Sequence, residues 1–202
     1  SKIDFCCHGH YSVLMTEEKT IRAFVALSLG DDVMTALKNR SKALQEQFAH
    51  LNIRWVPFSN YHITLIFIGN IPVSELDAME ILIKDAVVGI EPFDVEISAS
   101  TLFPPDNEKK GVLIASVTPS AALSALQAAL DKTFRGVGYP LIERPYRPHV
   151  TLARLRRAKV TEEELGGEAV MASHVHQVHI YETHKEEGKV VNSILRSYSL
   201  GG

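Results

Sequence analysis

Two copies of one tetrapeptide constrain this 202-residue chain more than any other feature. YHITLIF carries His62 and Thr64, RPYRPHVTLARL carries His149 and Thr151, and His149 stands 87 positions after His62. Both copies of H-x-T-L lie in runs rich in apolar and β-branched residues, which predicts strands. Side chains alternate between the two faces of a strand, so a His and a Thr two positions apart share a face, roughly 7 Å apart. Ile63, Leu65, Val150 and Leu152 then point the other way, into a core. Two such strands side by side would put two imidazoles and two hydroxyls on one surface. A single His-x-Thr in a strand is ordinarily a satisfied polar residue beside a β-branched one. A second copy, also followed by Leu and set in a comparable half-chain, makes a site the better reading.

The surroundings of the two motifs repeat as well. IRAFVALSL (21–29) reads as a strand, and Asp31 and Asp32 offer a helix start for a segment with Met34, Leu37, Leu44 and Phe48 at helical spacing. Residues 54–70 contain a second strand, and Pro72, Ser74 and Glu75 open a helix striped by Leu76, Met79, Leu82, Ile83 and Ala86. FDVEISASTLF (93–103) and GVLIASV (111–117) read as a strand pair, and Pro119 and Ser120 start a helix with Leu123, Leu126, Leu130 and Phe134 on one side. RPYRPHVTLARL follows as a strand, TEEEL as one helical turn, and HVHQVHIYET and SILRSYSL as closing strands. A strand and a helix accompany the signature in each half. This is a weak internal duplication, with too few copies for a solenoid.

Two histidines and two hydroxyls suit reaction at a phosphodiester. One group must take a proton from the attacking oxygen and another must protonate the leaving oxygen on the far side of phosphorus. Imidazole, with an ordinary pKa near 6.5, can fill either role at neutral pH. Threonine hydroxyls can donate to the non-bridging oxygens. No metal or other cofactor is required, and the two identical motifs do not say which histidine is acid and which is base.

Charge and composition restrict where the ligand's charge can be met. The net charge is −3, so no overall basic field would hold a polyanion. Between residues 144 and 159, however, lie Arg144, Arg147, Arg154, Arg156, Arg157 and Lys159. Arg147, two residues before His149, is the candidate to grip a phosphate with two donors. Arg154 alternates away from His149 in an ideal strand and reaches the site only through a twist or bulge. Phe24, Phe103 and Tyr61 are candidate stacking platforms for a base.

The remaining signals are negative. Adjacent Cys6 and Cys7 make a poor disulfide pair, and with His8 and His10 they are too crowded to surround one ion. Among His174, His176, His179 and His184, no cysteine or well-spaced carboxylate completes a metal site, and a polar strand edge is the simpler account. No apolar run approaches the roughly 20 residues of a membrane span, and SKIDFCCHGHYSVLMTEEK lacks a signal peptide's apolar core. A cytoplasmic monomer is the expectation.

RAFVAL near residue 22, RWVPFSNYHITLIFIG (54–69), FPP (103–105) and RPYRPHVTLAR (144–154), together with the doubled H-x-T motif, resemble the two-histidine (2H) phosphoesterases. Within them the chain is similar to the RNA 2',3'-cyclic phosphodiesterases, first described as bacterial 2'-5' RNA ligases. The resemblance spans about residues 20–200, and implies that residues 1–19 are an N-terminal extension and 20–202 one bilobal domain. It implies an α+β bilobal fold, with two antiparallel sheets in pseudo-twofold relation around a central cleft and helices outside. It further implies metal-independent hydrolysis of an RNA terminal 2',3'-cyclic phosphate to a 2'-phosphate, with His62 as proton donor, His149 as proton acceptor, and Thr64 and Thr151 as phosphate-oxygen donors. The alternatives are 2'-5' ligation, cleavage of 2'-5'-linked or small cyclic nucleotides, and non-catalytic binding of RNA ends. Relatives often carry a Trp in the strand that reads GVLIASV here, where Ile114 or Ala115 stands.

Overall fold

The computed structural model describes residues 18–103, 111–166 and 171–202. The Cys6, Cys7, His8 and His10 tract and the two prolines of FPP lie outside the described residues. The chain runs β1 (Thr20–Leu27), α1 (Asp31–Gln47), β2 (Ile53–Trp55), β3 (Ile63–Pro72), α2 (Leu76–Val87), β4 (Phe93–Phe103), β5 (Val112–Val117), α3 (Ala121–Gly136), β6 (His149–Leu155), α4 (Glu162–Leu165), β7 (Met171–Val175), β8 (Gln177–Glu186) and β9 (Lys189–Ser199).

Local chemistry explains where the helices begin. Asp31 and Asp32 occupy the first turn of α1, where carboxylates complement the helix dipole. Ser120 caps α3 by accepting a bond from the Leu123 backbone N–H. In α4 Thr161 and Glu164 close a capping box, the physical content of the T-x-x-E spacing. The predicted stripe is buried throughout in α3, whereas in α1 Val33 is buried and Met34 only partly so, and in α2 Leu76 and Leu82 are only partly buried beside buried Met79, Ile83 and Ala86. Leu123, Leu126, Leu130 and Phe134 of α3 are all fully buried, which is worth about 1.5–3 kcal/mol for each such side chain.

The strands form two antiparallel sheets, one in the order β3-β1-β8-β9 and the other β2-β6-β5-β4-β7. The two motif strands therefore do not pair side by side as their alternation suggests. β3 is an edge of the four-stranded sheet and β6 belongs to the five-stranded one, and the two touch across the gap between sheets. Sequence neighbours also part company: β2 and β3 join different sheets. HVHQVHIYET, expected as a single strand, is divided at His176 between β7 and β8, one in each sheet. Buried Val175 and Val178 stand three positions apart, so the alternation slips by one at the break where the hydrogen-bond partners switch.

The same irregularity interrupts both motif strands. Thr64 pairs with Ala26 and Ile66 with Val25, leaving Leu65 without an opposite residue. Thr151 pairs with Ile114 and Ala153 with Leu113, leaving Leu152 unopposed. In each bulge two consecutive residues turn inward, Leu65 with Ile66 and Leu152 with Ala153, and all four are buried. Ile114 and Ala115 of β5 are buried too.

Candidate active site

Ile63 and Val150 are fully buried and anchor the two motifs from behind. That leaves the half-buried His62, Thr64, His149 and Thr151 on the opposite strand faces, toward the cleft. Each imidazole is held in the same way. His62 Nδ1 donates to the Asn60 carbonyl at 2.7 Å, and His149 Nδ1 donates to the Arg147 carbonyl at 2.7 Å. A carbonyl oxygen can only accept, so Nδ1 carries a hydrogen in both rings and Nε2 is the nitrogen free to gain or lose a proton. His62 Nε2 lies 3.1 Å from Thr64 Oγ1.

The two rings differ in their surroundings. Phe24 packs beneath His62 with centroids 4.7 Å apart, and Tyr181 stacks on Phe24 at 5.1 Å. Burial pushes the His62 pKa below the ordinary imidazole value; the bond to Asn60 opposes this and the nearby His149 adds to it. Burial likewise lowers the His149 pKa against the bond to Arg147, with Arg144 and Arg154 pushing further down. Phe103 lies alongside His149 at 6.2 Å, and the Arg147 guanidinium sits over the Phe103 ring at 5.0 Å.

Two adjoining cavities meet at His62 and Thr151, which line both. One of about 280 Å³ is lined by both histidines, both threonines, Phe103 and Arg147. The other, of about 610 Å³, reaches away from His62 and Thr151 toward Trp55 and Arg54. Arg154 lines both, because the bulge at Leu152 shifts the alternation of β6 by one and returns the side chain to the cleft. Of the three aromatic candidates, Phe103 borders the cleft, whereas Phe24 is only 3% exposed and serves as the floor under His62. Tyr61 is a core residue at 5% exposure and offers no face to a base.

Three residues that neither motif contains also build the site. Phe67 is 43% exposed, lines both cavities and carries Arg144 over its ring at 6.0 Å. It follows His62 by the same five positions that separate Arg154 from His149, so aligning HITLIF with HVTLAR brings the two together. Buried Asn60 donates through Nδ2 to the Val190 carbonyl at 2.8 Å and accepts from the Asn192 backbone N–H at 3.0 Å, tying β9 to the carbonyl that orients His62. Tyr146 Oη donates to the Thr64 carbonyl at 3.1 Å, so the approach to β6 is fastened to β3 across the cleft. No local pattern marks Asn60 or Tyr146, since their partners are distant in sequence.

The other described histidines stay outside this site. His174 Nδ1 meets Asp94 Oδ1 at 2.7 Å on the surface, and His179 is buried between Ser28 and Ser197. Among the described residues, no helix is long and apolar enough to cross a membrane.

The arrangement of two facing sheets has counterparts among solved structures. Escherichia coli LigT complexed with 3'-AMP superposes with a TM-score of 0.71 at 19% identity, covering 91% of this chain and 100% of that one. A Thermus thermophilus protein gives 0.71 at 24% identity, covering 90% and 99%. These define the fold as that of the LigT-like two-histidine phosphoesterases. The model of the 2'-5' RNA ligase superfamily matches residues 34–186, and the chain belongs to that family. An RNA 2',3'-cyclic phosphodiesterase of Methanothermobacter thermautotrophicus is 29% identical over 136 residues, 67% of this chain and 72% of its own. One of Bacillus subtilis is 31% identical over 101 residues, 50% and 55% of the two chains.

Proposed function

We propose that the protein hydrolyses the 2',3'-cyclic phosphate at an RNA end to a 2'-phosphate by metal-independent acid/base catalysis. The observation that carries this reading is the matched anchoring of both Nδ1 atoms, which commits both Nε2 atoms to proton transfer at one cleft. His149 Nε2 takes a proton from water as its oxygen attacks phosphorus. His62, protonated, delivers the Nε2 proton to the departing 3' oxygen. The extra cations beside His149 favour its neutral form and hence the role of base. Thr64 and Thr151 donate to the non-bridging oxygens, and Arg147 binds the phosphoryl group from the rim. Phe103 is a stacking surface for the terminal base.

The test is an RNA oligomer ending in 2',3'-cyclic phosphate, incubated with excess EDTA and analysed for its terminal phosphate. The expected product is the 2'-phosphate, formed at the rate seen without chelator and slowed roughly 100-fold or more by His62→Ala or His149→Ala. A 3'-phosphate product, loss of turnover with EDTA, or full activity in either variant would overturn the reading. Adding a 5'-hydroxyl oligomer to the same assay reports 2'-5' ligation, in which that hydroxyl replaces water as the nucleophile and the 3' oxygen again departs.

A further inference from the structure

The larger cavity holds more positive charge than one reacting phosphate requires. Arg22 of β1, Arg54 of β2, Arg144 ahead of β6 and Arg154 within it all line the cavity, drawn from both sheets, and among the described residues no carboxylate does. Two other arginines are paired, Arg135 with Asp131 and Arg196 with Asp77 and Glu80, whereas Arg40, Arg147, Arg156 and Arg157 make no ion pair among the described residues. Among the described residues none of the four cavity arginines makes an ion pair. Arg54 and Arg154 are moreover direct cross-strand partners in the β2–β6 pairing, an arrangement of like charges that costs stability. A fold keeps unneutralised cations converging on a concave surface when an anion supplies the missing charge.

Position separates these arginines into two groups. Arg144 and Arg154 line both cavities, which meet at His62 and Thr151, whereas Arg22 and Arg54 line only the larger one. We propose that Arg22 and Arg54 form a second anion site, which binds a phosphate carried on the 5' oxygen of the terminal nucleoside. The inference rests on the proposed cyclic phosphodiesterase reading and deepens it. The terminal nucleoside then lies between two phosphates: the cyclic one at the histidines and the second at Arg22 and Arg54. That second group is either an internucleotide phosphodiester or a 5'-terminal phosphate, and guanidinium forks suit both.

Three substrates distinguish these sources: adenosine 2',3'-cyclic phosphate, its 5'-phosphorylated form, and a diadenosine dinucleotide ending in 2',3'-cyclic phosphate. The wild type is expected to process at least one of the two bearing a second phosphate about tenfold more efficiently than the first, through KM rather than kcat. A preference confined to the dinucleotide identifies the phosphodiester, and an equal preference for both shows that the monoester suffices. In the Arg22→Gln/Arg54→Gln protein the preference should fall to near one, because the loss concentrates on substrates with the second phosphate. An indiscriminate wild type, or a double variant that loses equally on all three, overturns the proposal.

Direct binding tests the second site even where no substrate turns over. Fluorescence anisotropy of a 5'-fluorescein oligoribonucleotide with a 3'-terminal phosphate should show roughly tenfold weaker binding in the double variant. The slope of log K against log salt should be shallower by about 0.7 for each phosphate that is no longer neutralised. Unchanged affinity and slope overturn the proposal even if no substrate is hydrolysed. Arg54→Gln, which removes a like-charge pair, should melt at or above the wild-type temperature. A marked fall would assign Arg54 to the fold and not to an anion.

Discussion

His62 and His149 are anchored alike but set in different fields, and this fixes the pH behaviour of the proposed reaction. In the free protein the base must be neutral and the acid protonated, so the acidic limb of kcat/KM follows His149 and the basic limb follows His62. Burial lowers both pKa values, aided by Arg144 and Arg154 at one ring and by the other imidazole at the second. Both limbs shift toward acid, and the kcat/KM optimum is expected below the ordinary imidazole value of about 6.5. A bound phosphate favours imidazolium, so the kcat optimum should lie at higher pH than that of kcat/KM. Parallel pH profiles of the two constants check this, and a kcat/KM optimum on the alkaline side of 6.5 would refute it. Arg154 shows how one backbone residue alters this field, since without the bulge at Leu152 the guanidinium would point away from His149.

β3 and β6 owe their roles to matching devices: a buried residue between His and Thr, a bulge after the Thr, and a carbonyl two residues before each His. The first of these strands depends on an outside support. Asn60 is buried and its side chain closes two hydrogen bonds to the β9 backbone, so truncation leaves both partners unsatisfied. Asn60→Ala is expected to lower stability by about 1–3 kcal/mol and, by loosening the His62 anchor, to reduce kcat more than it raises KM. Denaturant melts and steady-state kinetics measure the two effects, and an unchanged kcat in a destabilised variant would mean that the clamp serves β9 alone.

How much of the molecule can be read from its sequence follows from which forces are local. Strand alternation and helix stripes come from one-dimensional periodicity, so Val150, Leu152 and the buried stripe of α3 are legible, as are the cap at Ser120 and the turn at Thr161. Partner choice between strands is not local. The parting of β2 from β3 and the clasp from Tyr146 to Thr64 leave no trace in spacing, whereas the switch at His176 is marked by the odd spacing of buried Val175 and Val178. Phe67 is legible only by aligning the two repeats. Three histidines, His62, His149 and His179, have pKa values lowered first by burial, which gives the whole fold a pH response. Below about pH 6.5 the unfolded chain binds protons that the folded one refuses, so stability falls with pH through that window and not above it. Melting temperature should drop between neutral and mildly acidic buffer, and His179→Gln should flatten the slope. Whether two imidazoles divide one proton transfer between them is tested most directly by kcat/KM against pH for wild type, His62→Ala and His149→Ala on one cyclic-phosphate oligomer. A shared transfer predicts a bell for the wild type, residual activity without the basic limb in His62→Ala, and residual activity without the acidic limb in His149→Ala. A full bell surviving in either variant would contradict it.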